Sequence, residues 1–149
     1  METKYIVFQL SDEEYGISVN QVRSIEKIQH ITRVPRTSPY VKGVINLRGV
    51  VTPIIDLRAR FGLEELPYND HTRIIIVSID DVEVGLIVDA ANDVLDIAND
   101  QIEPSPEVIE GVQVDYLSGV VKKNNRLIIL VNLKKILTAN DEEESKIDA

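Results

Sequence analysis

His30 and His71 are the only histidines in the 149-residue chain, and neither has a second ligand at the H-E-x-x-H spacing that would hold zinc. Each sits in a polar, turn-like context, where a surface histidine is the ordinary case. Asp80-Asp81 has the look of paired carboxylates for acid–base work, but the apolar runs on either side place it in a hairpin turn, where aspartate is common. Asp93, Asp96 and Asp100 lack the glycine and terminal glutamate of an EF-hand loop. Cysteine is absent, so there is no disulfide, thiolate metal site or cysteine nucleophile. No G-x-G-x-x-G, P-loop or G-x-S-x-G pattern occurs. The sequence therefore presents no catalytic set and no metal site, and it implies no cofactor.

One residue resists that bland reading. In Lys42–Leu57, two apolar runs flank Asn46-Leu47-Arg48-Gly49, the pattern of a β-hairpin turning near Arg48-Gly49. Glycine suits a tight turn because it adopts positive φ at little steric cost. Arginine has no such reason to be there. A cation at the tip points to something outside the turn that it meets.

The surrounding elements follow from local pattern. Tyr5–Leu10 and Tyr15–Val19 read as strands around Ser11–Glu14. Through Asn20–Val34, apolar residues recur every three positions but are β-branched, which predicts a short helix passing into a strand. Pro35–Pro39 is a loop. Asp56 is a good N-cap for a short helix closed by Gly62, and the polar stretch Glu64–His71, containing Pro67, reads as a linker. Arg73–Ile79 and Val82–Val88 form a hairpin around Asp80-Asp81, Val94–Ile97 continues as a strand, and Glu103–Pro106 is a loop. Gly119–Lys123 and Arg126–Val131 flank the turn Asn124-Asn125, and Asn132 caps a last helix through Leu137. Thr138–Ala149, with its Asp-Glu-Glu-Glu run, reads as a solvated tail.

The two halves repeat one another. Asp12, Glu14, Gly16 and Val19 fall on Asp81, Glu83, Gly85 and Val88, 69 residues on. Gly43-Val44-Ile45 falls on Gly119-Val120-Val121, and Ile54–Arg58 on Leu130–Lys134, 76 residues on. Each half is then a hairpin, an irregular third strand, a second hairpin and a capped helix. About five short strands of this kind close most cheaply as a small barrel, and two barrels share burial that one would lack. The expected organisation is 1–68 as the first half, 69–140 as the second and 141–149 as an acidic tail. The first strand is open to exchange between the barrels. The repeat also acts as an internal control: both halves build the fold, so what only one half carries is a candidate for function. Arg48-Gly49 stands where the second half has Asn124-Asn125, and Pro53 where it has Ile129. Proline lacks a ladder donor, which predicts an edge or a bulge.

Composition narrows the function classes. The net charge is −9, and the chain has no tryptophan and two phenylalanines, against both phosphate neutralisation and base stacking. No apolar run approaches the roughly 20 residues that span a bilayer, and the N-terminus lacks a signal-peptide pattern. A cytoplasmic protein without nucleic-acid partner or membrane insertion is expected. Ile28, Ile31, Val34 and Val50-Val51 exceed what simple alternation would bury, and exposed apolar patches mark partner surfaces.

Tyr40–Gly49, followed by Pro53–Arg58, resembles the CheW family of chemotaxis coupling proteins. The resemblance extends to Phe8–Leu10 with Glu14–Ile17, to Glu83–Asp89 and to Leu127–Leu133, so it covers nearly the whole chain. It implies a mainly β fold of two SH3-like five-stranded barrels with short capping helices. It implies a non-enzymatic cytoplasmic adaptor between chemoreceptor tips and the histidine kinase CheA. One barrel surface would pair with the kinase's regulatory domain, and the groove between barrels would hold the receptor's cytoplasmic helical hairpin. By position, the receptor side would include Val22, Gly43, Arg48, Gly49 and Val94, whereas no comparable motif marks the kinase side. The tail Asp141–Ala149 matches no motif of the family, and a CheV-like fusion to a receiver domain is not expected. Alternatives are a free-standing copy of the kinase's regulatory domain, an adaptor of a non-flagellar chemosensory pathway, and a small-ligand-binding barrel.

Overall fold

The computed structural model describes residues 2–35, 39–104 and 116–137. The tail expected over Thr138–Ala149, part of the Pro35–Pro39 loop and the end of the Glu103–Pro106 loop lie outside the described residues. Strands β1 (Glu2–Leu10) and β2 (Glu13–Ser18) form the first hairpin, followed by β3 (Val22–Lys27). A second hairpin of β4 (Val41–Leu47) and β5 (Val50–Asp56) leads into α1 (Leu57–Arg60). The pattern recurs as β6 (Arg73–Ile79), β7 (Val82–Val88), β8 (Ala90–Ala98), β9 (Ile102–Glu103), β10 (Leu117–Lys123) and β11 (Arg126–Val131). A helical stretch at residues 133–137, α2, closes the repeat. The helix expected after Asn20 is a single 3-10 turn, Val19–Gln21, before β3 begins.

The hairpin turns follow the residues that tolerate positive φ. Asp80 and Asp81 lie at 51° and 67°, Asn124 and Asn125 at 54° and 62°, and Arg48 and Gly49 at 54° and 86°. Positive φ at both central residues matches the right-handed twist of the flanking strands.

The strands form two barrel-like sheets, ordered β8-β1-β2-β11-β10-β9 and β3-β6-β7-β5-β4. Neither sheet follows the boundary near Tyr68. The first hairpin of each half joins the second hairpin of the other, so a complete hairpin is exchanged rather than a single strand. The joins are the parallel pairs β2–β11, with Gly16 opposite Leu130, and β5–β7, with Gly85 opposite Ile54. Both sheets curl closed in the same way. Thr32 bridges Val44, exchanging two backbone hydrogen bonds of 2.8 Å, and Glu103 pairs with Val120. Gly43 and Gly119 precede these closures at positive φ, each beside a shift of strand register. A Cβ on Gly43 would stand 2.0 Å from the Thr32 carbonyl oxygen, and one on Gly119 would stand 2.8 Å from that of Glu103. The glycines that mark the repeat therefore mark where each sheet seals.

Pro53 does not sit at an edge: β5 lies between β4 and β7. Val44, its partner, turns both backbone groups toward Thr32. The Val44–Pro53 pair is thus a non-hydrogen-bonded one, and the missing donor breaks no β4–β5 bond.

Three apolar cores result. Val7, Ile97, Val121, Ile128 and Leu130 fill one sheet, and Ile45, Ile54, Ile74, Ile76 and Ile87 fill the other. The largest core lies between the sheets and takes Ile6 and Phe8 from β1, Ile75 and Val77 from β6, and both helices' Leu57 and Leu133. An aromatic column, Phe8–Tyr15–Phe61–Tyr116, runs through it with successive ring centroids 5.7 Å apart.

At the start of α1, Asp56 accepts from the Arg58 N–H at 2.9 Å, so the predicted cap forms. Arg58 then reaches back to Asp89 through two bonds, Nε to Oδ1 at 2.8 Å and Nη2 to Oδ2 at 2.6 Å. The Asp89 carboxylate raises the Arg58 pKa, chiefly through that bonding. Asp89 also accepts from the Ser11 N–H at 2.8 Å, tying α1 to the β1–β2 turn.

Three stability outcomes are expected. Gly43→Ala should cost about 2–4 kcal/mol, because the clash is with backbone at a strained φ. Gly49→Ala, where a Cβ meets nothing within 4 Å, should cost only about 1 kcal/mol; urea denaturation of both separates them. Arg58→Ala should cost about 2–3 kcal/mol, less than for a fully buried pair because Asp89 keeps 31% of its side chain exposed. The same measurement checks it, a loss below about 1 kcal/mol being the contrary result.

Candidate functional site

The β4–β5 tip is built by local bonds. Asn46 Oδ1 accepts the Gly49 N–H at 2.9 Å, which closes the turn without help from Arg48. Arg48 is exposed in the left-handed region at φ 54°, and none of its bonds or ion pairs is with a described residue. Asn124, its counterpart, takes the same φ with a side chain that tolerates it better. The tip thus holds a guanidinium without a partner among the described residues, in a backbone conformation that a long side chain disfavours. Val50 and Val51 beside it are 52% and 68% exposed. Val82, at the start of β7, is exposed as well.

Val22 and Val94 belong to a second group. Opposite residues of an antiparallel ladder project from the same face. Val22 faces Val77 and Val94 faces Ile6, and both partners lie in the core between the sheets. Val22 is half-buried against that core, whereas Val94 remains 50% exposed at its rim. The repeat adds Ile25, which the sequence reading passed over. It stands opposite Ile75 just as Val94 stands opposite Ile6, is its counterpart 69 residues earlier, and is also exposed, at 42%. The signal was present in the offset, but the three-residue spacing around Ile25 had the look of a helix.

Val94 is held in place from below. The Asp93 carboxylate accepts the Val94 N–H at 2.8 Å and the Arg126 Nη1 at 3.0 Å. That arginine bond is the main cause of the lowered Asp93 pKa. Arg126 is itself held by both oxygens of Glu14. Gly43 is buried at the Thr32 closure and shapes the base of β4 rather than presenting a surface. The expected residues thus fall into an exposed tip (Arg48, Gly49), a rim along the shared core (Val22, Val94, with Ile25) and one buried support. Of the other apolar candidates, Ile28 and Ile31 pack against the core of the β3-β6-β7-β5-β4 sheet, while Val34 is exposed.

The chemistry available elsewhere is slight. His30 and His71 are exposed and separate, and no group of three potential metal ligands occurs among the described residues. A cavity of about 310 Å³ lies under the Leu66–Thr72 connector, lined by Asp56, Arg58, Tyr68 and Asp89 among others. Its polar groups are turned on one another. Besides the Arg58–Asp89 pair, the Tyr68 hydroxyl donates to Asp56 at 2.9 Å. Burial, and then the neighbouring carboxylate, push that hydroxyl above the usual tyrosine range, away from any proton-transfer role near neutral pH. No helix among the described residues is long and apolar enough to cross a membrane.

Comparison with known proteins gives a consistent answer. The chain is 51% identical over 146 residues to the chemotaxis protein CheW of Bacillus subtilis, covering 96% of this chain and 90% of that protein. It is 37% identical over 145 residues to the chemotaxis protein CheW of Klebsiella aerogenes, covering 97% and 86%. A crystal structure of the scaffolding protein TtCheW from Thermoanaerobacter tengcongensis matches with a TM-score of 0.86 at 37% identity, over 94% of this chain and 90% of that one. The model of the CheW-like domain matches residues 4–141. With two hairpin-exchanged sheets, their glycine-sealed closures and matches of this length, the chain belongs to the CheW-like domain family.

Proposed function

We propose that this protein is a non-enzymatic cytoplasmic adaptor of chemotaxis signalling that couples chemoreceptor tips to the histidine kinase CheA. The observation that carries the reading is Arg48, an exposed guanidinium held at positive φ where the repeat closes its turn with Asn124-Asn125. A planar fork of donors suits carboxylate or carbonyl acceptors on a partner. The relatives' names, chemotaxis protein CheW and scaffolding protein, support the same reading.

The receptor's helical hairpin is the partner we assign to the tip and the rim. Ile25 and Val94 offer equivalent apolar contacts from the two halves, and Val22 lies beside Ile25 on β3. Arg48 and Gly49 add a polar anchor at the tip. Gly43 acts indirectly, by keeping β4 against Thr32. The like-folded regulatory domain of the kinase is assigned to a barrel surface, and the exposed valines at the β5–β7 end are the candidate for it. Rings of apolar contact surrounded by charge are how interfaces of this kind hold specificity.

Arg48→Glu should weaken binding of a receptor-tip hairpin at least about 10-fold, with the circular dichroism spectrum unchanged. Equal affinity would remove Arg48 from the interface. Ile25→Asp and Val94→Asp should each cost about 1–3 kcal/mol of that binding. In a reconstituted array of receptor and kinase, the parent protein should change kinase autophosphorylation. An array indifferent to its addition would contradict the adaptor reading as a whole.

A further inference from the structure

The two halves correspond residue by residue around their helices. Tyr40 corresponds to Tyr116, Asp56 to Asn132 and Leu57 to Leu133. The correspondence includes backbone bonds: the Asp56 N–H donates to the Tyr40 carbonyl at 2.8 Å, and the Asn132 N–H to the Tyr116 carbonyl at 2.7 Å. In this register Arg60 is the counterpart of Ile136. Both are buried, with Arg60 only 7% exposed.

Arg60 reaches across the repeat. Its Nε–H donates to the carbonyl of Ile136 itself, at 3.0 Å. Its guanidinium carbon lies 4.9 Å from the centre of the Tyr40 ring and 4.6 Å from that of Tyr116. A side chain that touches both members of an equivalent pair, and its own counterpart as well, lies at the pseudo-twofold axis relating the halves. No carboxylate among the described residues pairs with it, and its Nη2 is buried without a hydrogen-bond partner.

A buried guanidinium without a counter-ion is costly, and an unpaired donor adds to the cost. Ile136 demonstrates that an apolar side chain fills the equivalent place. What the cation adds is direction. Apolar packing that keeps volume and pattern loses uniqueness before it loses stability, whereas a planar cation is held best when both ring faces and the carbonyl are in place together. We propose that Arg60 is a positioning residue that fixes the register of the two sheets about their pseudo-twofold axis, and with it the spacing of the rims that carry Ile25 and Val94. It does this at the expense of stability, as buried polar groups do where they specify one arrangement over its neighbours.

The absence of cysteine makes a direct test available. Val51→Cys and Leu127→Cys place nitroxides on corresponding, exposed positions of the two second hairpins. Double electron–electron resonance should give one narrow distance distribution for Arg60. Arg60→Met keeps the volume and removes the charge. It should fold with an equal or higher thermal midpoint, yet broaden the distribution about twofold or more. Arg60→Lys keeps the charge without the planar stack and should broaden it too. Unchanged width in either folded variant overturns the proposal. If Arg60→Met does not fold, Arg60→Lys decides alone. If neither folds, Arg60 is a determinant of stability rather than of register, which also overturns it.

Discussion

Strands β1 and β6 each face two cores. On β6, Ile74 and Ile76 point into their own sheet while Ile75 and Val77 point into the core between sheets, and Val7 is flanked by Ile6 and Phe8 in the same way on β1. A strand buried on both faces has no solvent face to offer, so it must lie where two sheets meet. Both of these strands belong to first hairpins, and those are the hairpins the halves exchange. The exchange therefore places each half's most apolar strand between the two sheets, and neither sheet is complete without the other half. The two similar units fold together, each completing the other's sheet.

That arrangement gives meaning to the places where the halves differ. Where both carry the same or a like residue, it builds the fold: Gly43 and Gly119 seal the sheets, Asp56 and Asn132 each cap a helix, and Tyr40 and Tyr116 accept the cap's backbone bond. Two arginines stand where the second half has something plainer. Arg48 replaces an asparagine at a turn and faces solvent, so its use is external. Arg60 replaces an isoleucine in the shared core and touches both halves, so its use is internal. One presents a contact and the other sets the frame in which contacts are presented.

The sequence made much of this legible. Asp80-Asp81, Asn124-Asn125 and Arg48-Gly49 announced their turns because positive φ restricts the choice of residue, and Asp56 announced its cap through short-range bonding. The exchange of hairpins was not legible, because the parallel pairs β2–β11 and β5–β7 join strands far apart in the chain and leave no local pattern. Of the edge or bulge that Pro53 announced, the edge is absent, while the β4–β5 register shifts close to it, between Val41 and Gly43. Whether a missing donor matters depends on which neighbour that residue faces, and only the Thr32–Val44 bridge decides it. Ile25 was hidden by a spacing common to a helical turn and a strand entering a bulge. Arg60, in a run with Arg58, carries no local sign of its burial, which comes from contacts with Tyr40 in its own half and with Tyr116 and Ile136 in the other.

The central claim is that the rim of the shared core and the β4–β5 tip form one receptor-facing surface. Titrating the isotope-labelled protein with a soluble receptor-tip helical hairpin, and following backbone amide shifts by NMR, tests it most directly. The account predicts that the strongest perturbations gather at Val22–Ile25, Arg48-Gly49 and Val94, on both sheets at once. Perturbations confined to one sheet, or gathered at the Lys122–Leu127 turn while the rim and tip stay silent, would contradict it.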